Sequence, residues 1–455
     1  MQALVLALMF LLALYGIGKM VKRLFPVFGR LYFPSALIAG CFGLLLVYQS
    51  AWLVPIIPEV VVEQWSSWPA VLINVIFACL FLGKKILSPR ETWRLAGPQV
   101  IFGQTLAWGQ YVVGILLTML VLTPVFQMSP LTGALIEISF EGGHGTAAGL
   151  APLFNELGFA EGADLAIGLA TVGIVAGIVT GIILVNWGHK TQKMTVRSSD
   201  EADVALKPDA IELDDAAHQP TPQWAQHRWA LKLMAHAGYI ALSIMLGWLL
   251  LRALVLIEQN VWARDGGLEL MTSLPLFPLA MLGGVLVQYF LTKAQLTKLI
   301  DRQIINKIGA YALDALIIAA VATVSLSVLG AFWVPFMLIA VAGIAWNIFA
   351  FLVLAKRLIP HYWFERGIGD YGQSMGMTAT GLLLMRVTDP KNDSRALESF
   401  GYKQLFFEPV VGGGIFTASS LILIAEFGLV AMLIFTSMIM SGWLVAGFVQ
   451  RRKLG

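Results

Sequence analysis

The sequence predicts an all-α polytopic membrane protein: two inverted structural repeats of about five transmembrane helices, one re-entrant hairpin in each, and an extra C-terminal helix. Three observations predict it. Apolar stretches of spanning length recur along all 455 residues, the basic connecting segments alternate with non-basic ones except at two places, and two short motifs reappear in the second half in the same order. The chain is 58% hydrophobic and 13% charged, where a soluble domain is roughly a quarter charged. Strands in lipid would need alternating lipid-facing and lumen-facing residues, so the spans are helices. A formal net charge of +3 does not point to nucleic acid, because basic residues in such a chain mainly record orientation. Cys41 and Cys79 lie inside apolar stretches and form neither a disulfide framework nor a metal cluster.

Candidate spans lie near residues 3–18, 32–50, 68–83, 99–123, 163–187, 230–251, 274–291, 308–328, 333–355, 405–425 and 428–449. The first has no positive n-region or small-residue cleavage site, and its basic residues, Lys19, Lys22 and Arg23, follow it, so it is expected to be retained. Basic clusters at Lys84 to Arg94, Lys190 to Arg197, Lys293 to Lys307, Lys356 to Arg366 and Arg451 to Lys453 are placed in the cytoplasm. Segment 51–66, with Glu59 and Glu63 and no basic residue, falls outside. An outside N-terminus satisfies this alternation up to residue 124. If segment 131–158 crossed, it would put the acidic Glu156, Glu161 and Asp164 inside and the next basic cluster outside. A hairpin entering and leaving on the outer side restores the pattern. In the second half Lys391, Arg395 and Lys403 also read as cytoplasmic, so 370–389 becomes a hairpin from the inner side. The C-terminus is then cytoplasmic, and a bacterial inner-membrane location is expected.

The motif F-P-x-A-x-x-x-G occurs at Phe33–Gly40 and again at Phe277–Gly284, and T-A-x-G-L at Thr146–Leu150 and Thr378–Leu382. The charge pattern orients the members of each pair oppositely. The expected organisation is a first repeat over 1–187, a polar cytoplasmic connector over 188–228, a second repeat over 229–427, and a final helix with a basic tail over 428–455. Inverted repeats with broken helices place a solute and its coupling ions near the membrane midplane.

Chemistry concentrates at the breaks. Glu141-Gly142-Gly143-His144-Gly145-Thr146 combines glycines that expose backbone amides and carbonyls with two intramembrane ionisable groups, which are costly unless paired or wetted. Glu141 and His144 either serve a ligand or pair with each other beneath the hairpin. The matching tip runs from Asp370 to Thr380, and Asp370 either ligates a cation or an ammonium group or sits at the cytoplasmic mouth. Glu408-Pro409-Val410-Val411-Gly412-Gly413-Gly414 interrupts a span, for a broken helix or for close packing. Asp314 also lies inside a span.

The segments ISFEGGHGTAAGLAPLFNELGF, LAIGLATVGIVAGIVTG, LPLFPLAMLGGVL, GMTATGLLLM and FFEPVVGGGIF resemble, in register, those of the bacterial sodium/glutamate symporters. The resemblance implies Na⁺-coupled uptake of glutamate or a related small carboxylate or amino acid, a homodimer, and a mobile unit that carries solute past a scaffold. It implies no cofactor beyond Na⁺ as coupling ion. Amides and hydroxyls of Gly142, Gly143, His144, Gly145 and Thr146, with Gly376, Met377, Thr378, Ala379 and Thr380, would hold the solute. Ser139, Glu141, Asp370, Gly412 and Gly413 would hold cations. Three positions depart from the family pattern: its S-G-G-H-G-T has Glu141 in place of serine here, and its second tip, G-H-C-G-F-G-L-G-A-T-P-T, has Asp370 for histidine and Ala379 for proline. The added acids would repel an anionic solute unless matched by cations, so a cation- or proton-coupled transporter of another small organic solute is the alternative.

Two other classes are weighed. Gly372-Gln373-Ser374-Met375-Gly376 fits G-x-S-x-G, with Asp370, His361 and His144 as notional partners, but that motif takes its meaning from a strand-to-helix elbow. A channel or non-transporting scaffold would show no ion-gradient dependence. Neither G-x-x-x-x-G-K-S/T nor H-E-x-x-H occurs, which leaves ATP-driven transport and zinc proteolysis without support.

Overall fold

The computed structural model describes residues 2–26, 28, 34–49, 56–84, 89–191, 193–194, 223–261, 263, 271–272, 274–376, 378–389 and 393–454. Outside them fall Phe33 of the first repeated motif, Met377 of the second tip, and most of the expected connector, residues 195–222. Among the described residues there are helices and no strand.

Among the described residues, eight helices are long and apolar enough to cross a membrane, and two shorter apolar helices accompany them. In the first half these are α1 (Gln2–Leu24), the shorter α2 (Ser35–Gln49), α3 (Glu59–Cys79) and α4 (Pro89–Leu117), which continues through a π-helical turn, Thr118–Leu122, and a last turn, Thr123–Phe126. A broken helical segment follows: a 3₁₀ turn, Pro130–Ala134, a π turn, Glu137–Glu141, then α5 (Gly143–Gly149) and α6 (Ala151–Glu156). The long α7 (Glu161–Lys190) closes the half. The second half has α8 (Gln223–Val261), the shorter α9 (Phe277–Lys293), α10 (Arg302–Ala322), α11 (Leu326–Ala331) and α12 (Trp333–Phe349), again running into a π turn, Ala350–Ala355. Two short helices, α13 (Trp363–Gln373) and α14 (Thr378–Thr388), then pack side by side, and α15 (Ala396–Phe407) and α16 (Ile415–Leu454) complete the chain.

Local chemistry sets these limits. α1 ends on Lys22 and Arg23, which favour the negative end of its dipole. Asp301 caps α10 by accepting from the Gln303 amide at 2.9 Å, and Ser325 caps α11. Large apolar side chains such as Met9 and Leu12 are more than 60% exposed, as lipid-facing groups are. Two expectations need correction. Glu59 and Glu63 belong to the first two turns of α3 instead of a loop, since an acidic first turn suits a helix N-terminus. No continuous span covers 405–425: the chain leaves the helix at residues 408–414, where Pro409 and the positive φ of Gly412 (70°) and Gly413 (97°) are incompatible with it. The expected final span is the continuation of α16 beyond a kink at Gly428, φ 76°.

The repeated glycines do equivalent packing in the two halves. A Cβ on Gly40 of α2 would lie 2.7 Å from Val321 Cβ on α10, and one on Gly284 of α9 would lie 2.6 Å from the Ala78 carbonyl oxygen on α3. Ala78 and Val321 are each the last residue but one of their 21-residue helices. Each half thus receives the third helix of the other against its own F-P-x-A-x-x-x-G glycine, at a distance that a larger side chain would forbid.

Candidate functional site

The glycines of α7 record what lies along it. Near its start, a Cβ on Gly162 would meet the Phe154 ring at 2.5 Å; further on, Gly173 faces Phe140 and the Met375 carbonyl, and Gly177 the Met375 side chain. Towards its end Gly181 faces Leu384 and Gly188 faces Phe364. Between them, Thr171 Oγ1 lies 2.9 Å from His144 Nε2 and within hydrogen-bond distance, 3.1 Å, of the Ile167 carbonyl. The 130–156 segment therefore has its outgoing arm beside the N-terminal part of α7. The α13–α14 pair has its outer ends beside the C-terminal part. The break of each falls opposite residues 171–177, the middle of this 30-residue helix.

The breaks touch. Gly143 has φ 67°, and a Cβ there would lie 2.5 Å from the Gly376 carbonyl oxygen. Gly143→Ala combines a left-handed backbone penalty of about 1–2 kcal/mol with a clash against backbone that cannot rotate away. The expected result is a lower melting temperature and a more than tenfold fall in solute uptake; near-normal uptake would show that the contact is dispensable.

A cavity of about 830 Å³ opens beside this contact. Of the sequence-predicted residues, Glu141, Gly142, Gly143, His144, Gly145, Gly376, Thr378 and Gly412 line it. Thr146 lies behind the wall, its hydroxyl where a Cβ on Gly413 would come within 2.6 Å. Ser139 and Thr380 are buried, Ala379 belongs to α14, and Met377 is outside the described residues. Asp370 is fully buried, so it is not at a mouth. Glu141 and His144 do not pair: His144 bonds Thr171, and Glu141 has the Ser374 hydroxyl as its polar neighbour. Ser374 is at the second break, but His144 bonds Thr171 and His361 is exposed, so the G-x-S-x-G residues do not assemble a nucleophile with its base. Asp314 is remote from these groups and accepts from the Tyr15 hydroxyl at 3.0 Å.

Four functional candidates were not legible in the sequence. Glu137, wholly buried, accepts three hydrogen bonds: from the Tyr111 hydroxyl at 2.6 Å, and from the Gly412 amide and the Thr417 hydroxyl, both at 2.8 Å. It ties the first broken segment to the 408–414 break. The spacing of Glu137 and Glu141, one helical turn apart inside an apolar stretch, was the available signal. Lys403, expected in the cytoplasm, is instead fully buried on α15, with its ammonium 2.8 Å from Asp370 Oδ1. The same ammonium donates to Gln373 Oε1 at 3.0 Å and lies 4.0 Å from the centre of the Phe407 ring. Gln373 and Gln404 form an amide pair on the cavity wall, Gln404 donating at 2.9 Å.

What remains is a set of buried oxygens outside these bonds: the Glu141 carboxylate with the Ser374 hydroxyl beside it, Asp370 Oδ2, and the hydroxyls of Ser139 and Thr146. Glu141 feels Lys403, Ser374, Glu137 and Asp370 as its electrostatic neighbours, and its Cγ lies 3.6 Å from where a Gly412 Cβ would be. Carboxylate and hydroxyl oxygens of this kind suit a hard cation.

No curated protein matches the chain. The model of the sodium/glutamate symporter family matches residues 1–389, which takes in α1 to α14 and both breaks. With that match over most of its length, this multi-pass, helical chain belongs to the sodium/glutamate symporter family.

Proposed function

We propose that the protein is a secondary transporter that couples uptake of glutamate or a related small carboxylate or amino acid to Na⁺, by alternating access. The observation that carries this reading is the meeting of two helix breaks, approached from opposite ends of α7, at the wall of one cavity. Arms of 11 residues, as in α13 and α14, reach about 16 Å, short of a hydrocarbon core of about 30 Å, which supports a hairpin that returns to its own side. The matched packing of Gly40 and Gly284 supports two inverted repeats, 1–187 and 229–427, joined by the polar connector.

In this reading the amides of Gly142 to Gly145 and the groups of Gly376 to Thr380 receive the solute carboxylate, as half-helix ends do. Glu141, with Ser139, Thr146 and the backbone at Gly412 and Gly413, receives Na⁺, and Asp370 contributes to the cation balance. The unit carrying both hairpins moves against the helices around α2, α3, α9 and α10. The cavity is also lined by Lys84, Arg302 and Arg386, residues of the basic, cytoplasmic side under the positive-inside rule, which supports an inward-open state in an inner membrane with the C-terminus inside. A homodimer is part of the proposal on family grounds.

The buried acid at the cavity favours a second reading, in which the coupling ion is a proton or the solute carries an ammonium group. Uptake of labelled glutamate into proteoliposomes, with and without an inward Na⁺ gradient, separates the two. Na⁺-stimulated glutamate uptake is expected. Uptake driven by a pH gradient alone, or by amines alone, would replace the first reading with the second.

A further inference from the structure

Lys403 reaches Asp370 from α15, and neither side chain meets solvent. A lysine ammonium has three hydrogens and no acceptor. Here it meets Asp370 Oδ1 at 2.8 Å, Gln373 Oε1 at 3.0 Å and the face of Phe407, so each direction has a partner. Gly103 of α4 makes room for it: a Cβ there would lie 2.8 Å from both Lys403 Cε and Nζ. Without the ammonium, the same place would be bordered by Asp370 Oδ1 and Gln373 Oε1. That is a carboxylate-centred oxygen set of the sort that binds a hard monovalent cation. It is also one the protein cannot leave unneutralised in a low-dielectric interior.

We infer that Lys403 is a resident cation. Its ammonium occupies a cation position made by Asp370 and Gln373, so the transporter binds one Na⁺ fewer than these oxygens would hold without it, and the exchangeable ion is left to Glu141. The lysine also holds Gln373 with its Oε1 turned inward, which orients the amide pair on the cavity wall. The inference rests on the Na⁺-coupled reading for its meaning in transport, though not for its test.

The test is thermal unfolding of the purified full-length protein over a range of NaCl concentrations, with choline chloride holding ionic strength constant. The slope of stability against the logarithm of Na⁺ concentration counts the ions bound by the folded state. Lys403→Met keeps the length of the side chain and its packing on Phe407 while removing the charge. It is expected to respond to Na⁺ more steeply than the wild type, by one ion, and Lys403→Met with Asp370→Asn is expected to return to the wild-type slope. A Lys403→Met slope equal to that of the wild type overturns the inference. So does a double variant as steep as the single one, or a Lys403→Met chain that fails to fold at every Na⁺ concentration. A flat wild-type curve would speak against Na⁺ coupling itself, while a gain of Na⁺ response in Lys403→Met would still uphold the resident cation.

Discussion

Glu137→Leu lowers the stability of the purified protein by about 3 kcal/mol or more, whereas Glu137→Gln changes it far less. The estimate comes from what leucine leaves behind. The Gly412 amide and the Thr417 and Tyr111 hydroxyls all lose their acceptor in a buried place, and each unsatisfied group costs about 1–3 kcal/mol. Glutamine retains an amide oxygen for Gly412 and Thr417, and its NH₂ can donate to the Tyr111 oxygen. The comparison of the two variants by denaturation in detergent isolates the acceptor from the side-chain volume. Uptake should fall with Glu137→Leu as well, because this carboxylate ties the 137–141 turn to the 408–414 break. Equal stability of the two variants would show that these three bonds contribute little.

Glu141→Gln has the opposite signature: it leaves the fold intact or more stable and abolishes most Na⁺-driven uptake. A carboxylate must ionise to hold a cation, and ionising it in a buried place carries a free-energy cost that glutamine never meets. The same charge is what a bound cation would meet. Losing it is expected to weaken Na⁺ by at least about tenfold, which corresponds to about 1.4 kcal/mol. A rise in melting temperature together with a raised Na⁺ requirement for uptake is the diagnostic pair. Unchanged Na⁺ dependence would remove Glu141 from the ion site. Stability and activity part company here because the charge is costly until its ligand arrives.

Much of the architecture was legible in the chain itself. Helices α1, α4, α7, α8 and α12 were visible as apolar runs, and the breaks at Gly142–Gly143 and around Gly412–Gly413 as glycine clusters inside such runs. The repeated F-P-x-A-x-x-x-G motif marked the two glycines that each accept a helix from the other half. The boundaries of α3 and α16 were less legible, because hydropathy does not register that Glu59 and Glu63 suit a helix start or that Gly428 bends a helix without ending it. Glu141 stood out as an acid in an apolar stretch, and the structure adds that it lines the cavity while Glu137, one turn earlier, is fully satisfied.

The residues on which sequence and structure part are charged ones. Lys403 read as a cytoplasmic marker because a lone lysine in hydrocarbon is expensive and such residues gather at membrane edges. In the folded chain it is not alone: Asp370, 33 residues earlier, is 2.8 Å away. The sequence by itself determined where helices form, where they break and which of them are apolar enough to cross a membrane, because these depend on local propensity and on hydropathy summed along a single segment. Only the tertiary structure decided which buried charges are neutralised and which are left for a ligand. The free energy of a charge in a low dielectric depends on its distance from a partner, and that distance is set by the packing of segments far apart in the chain.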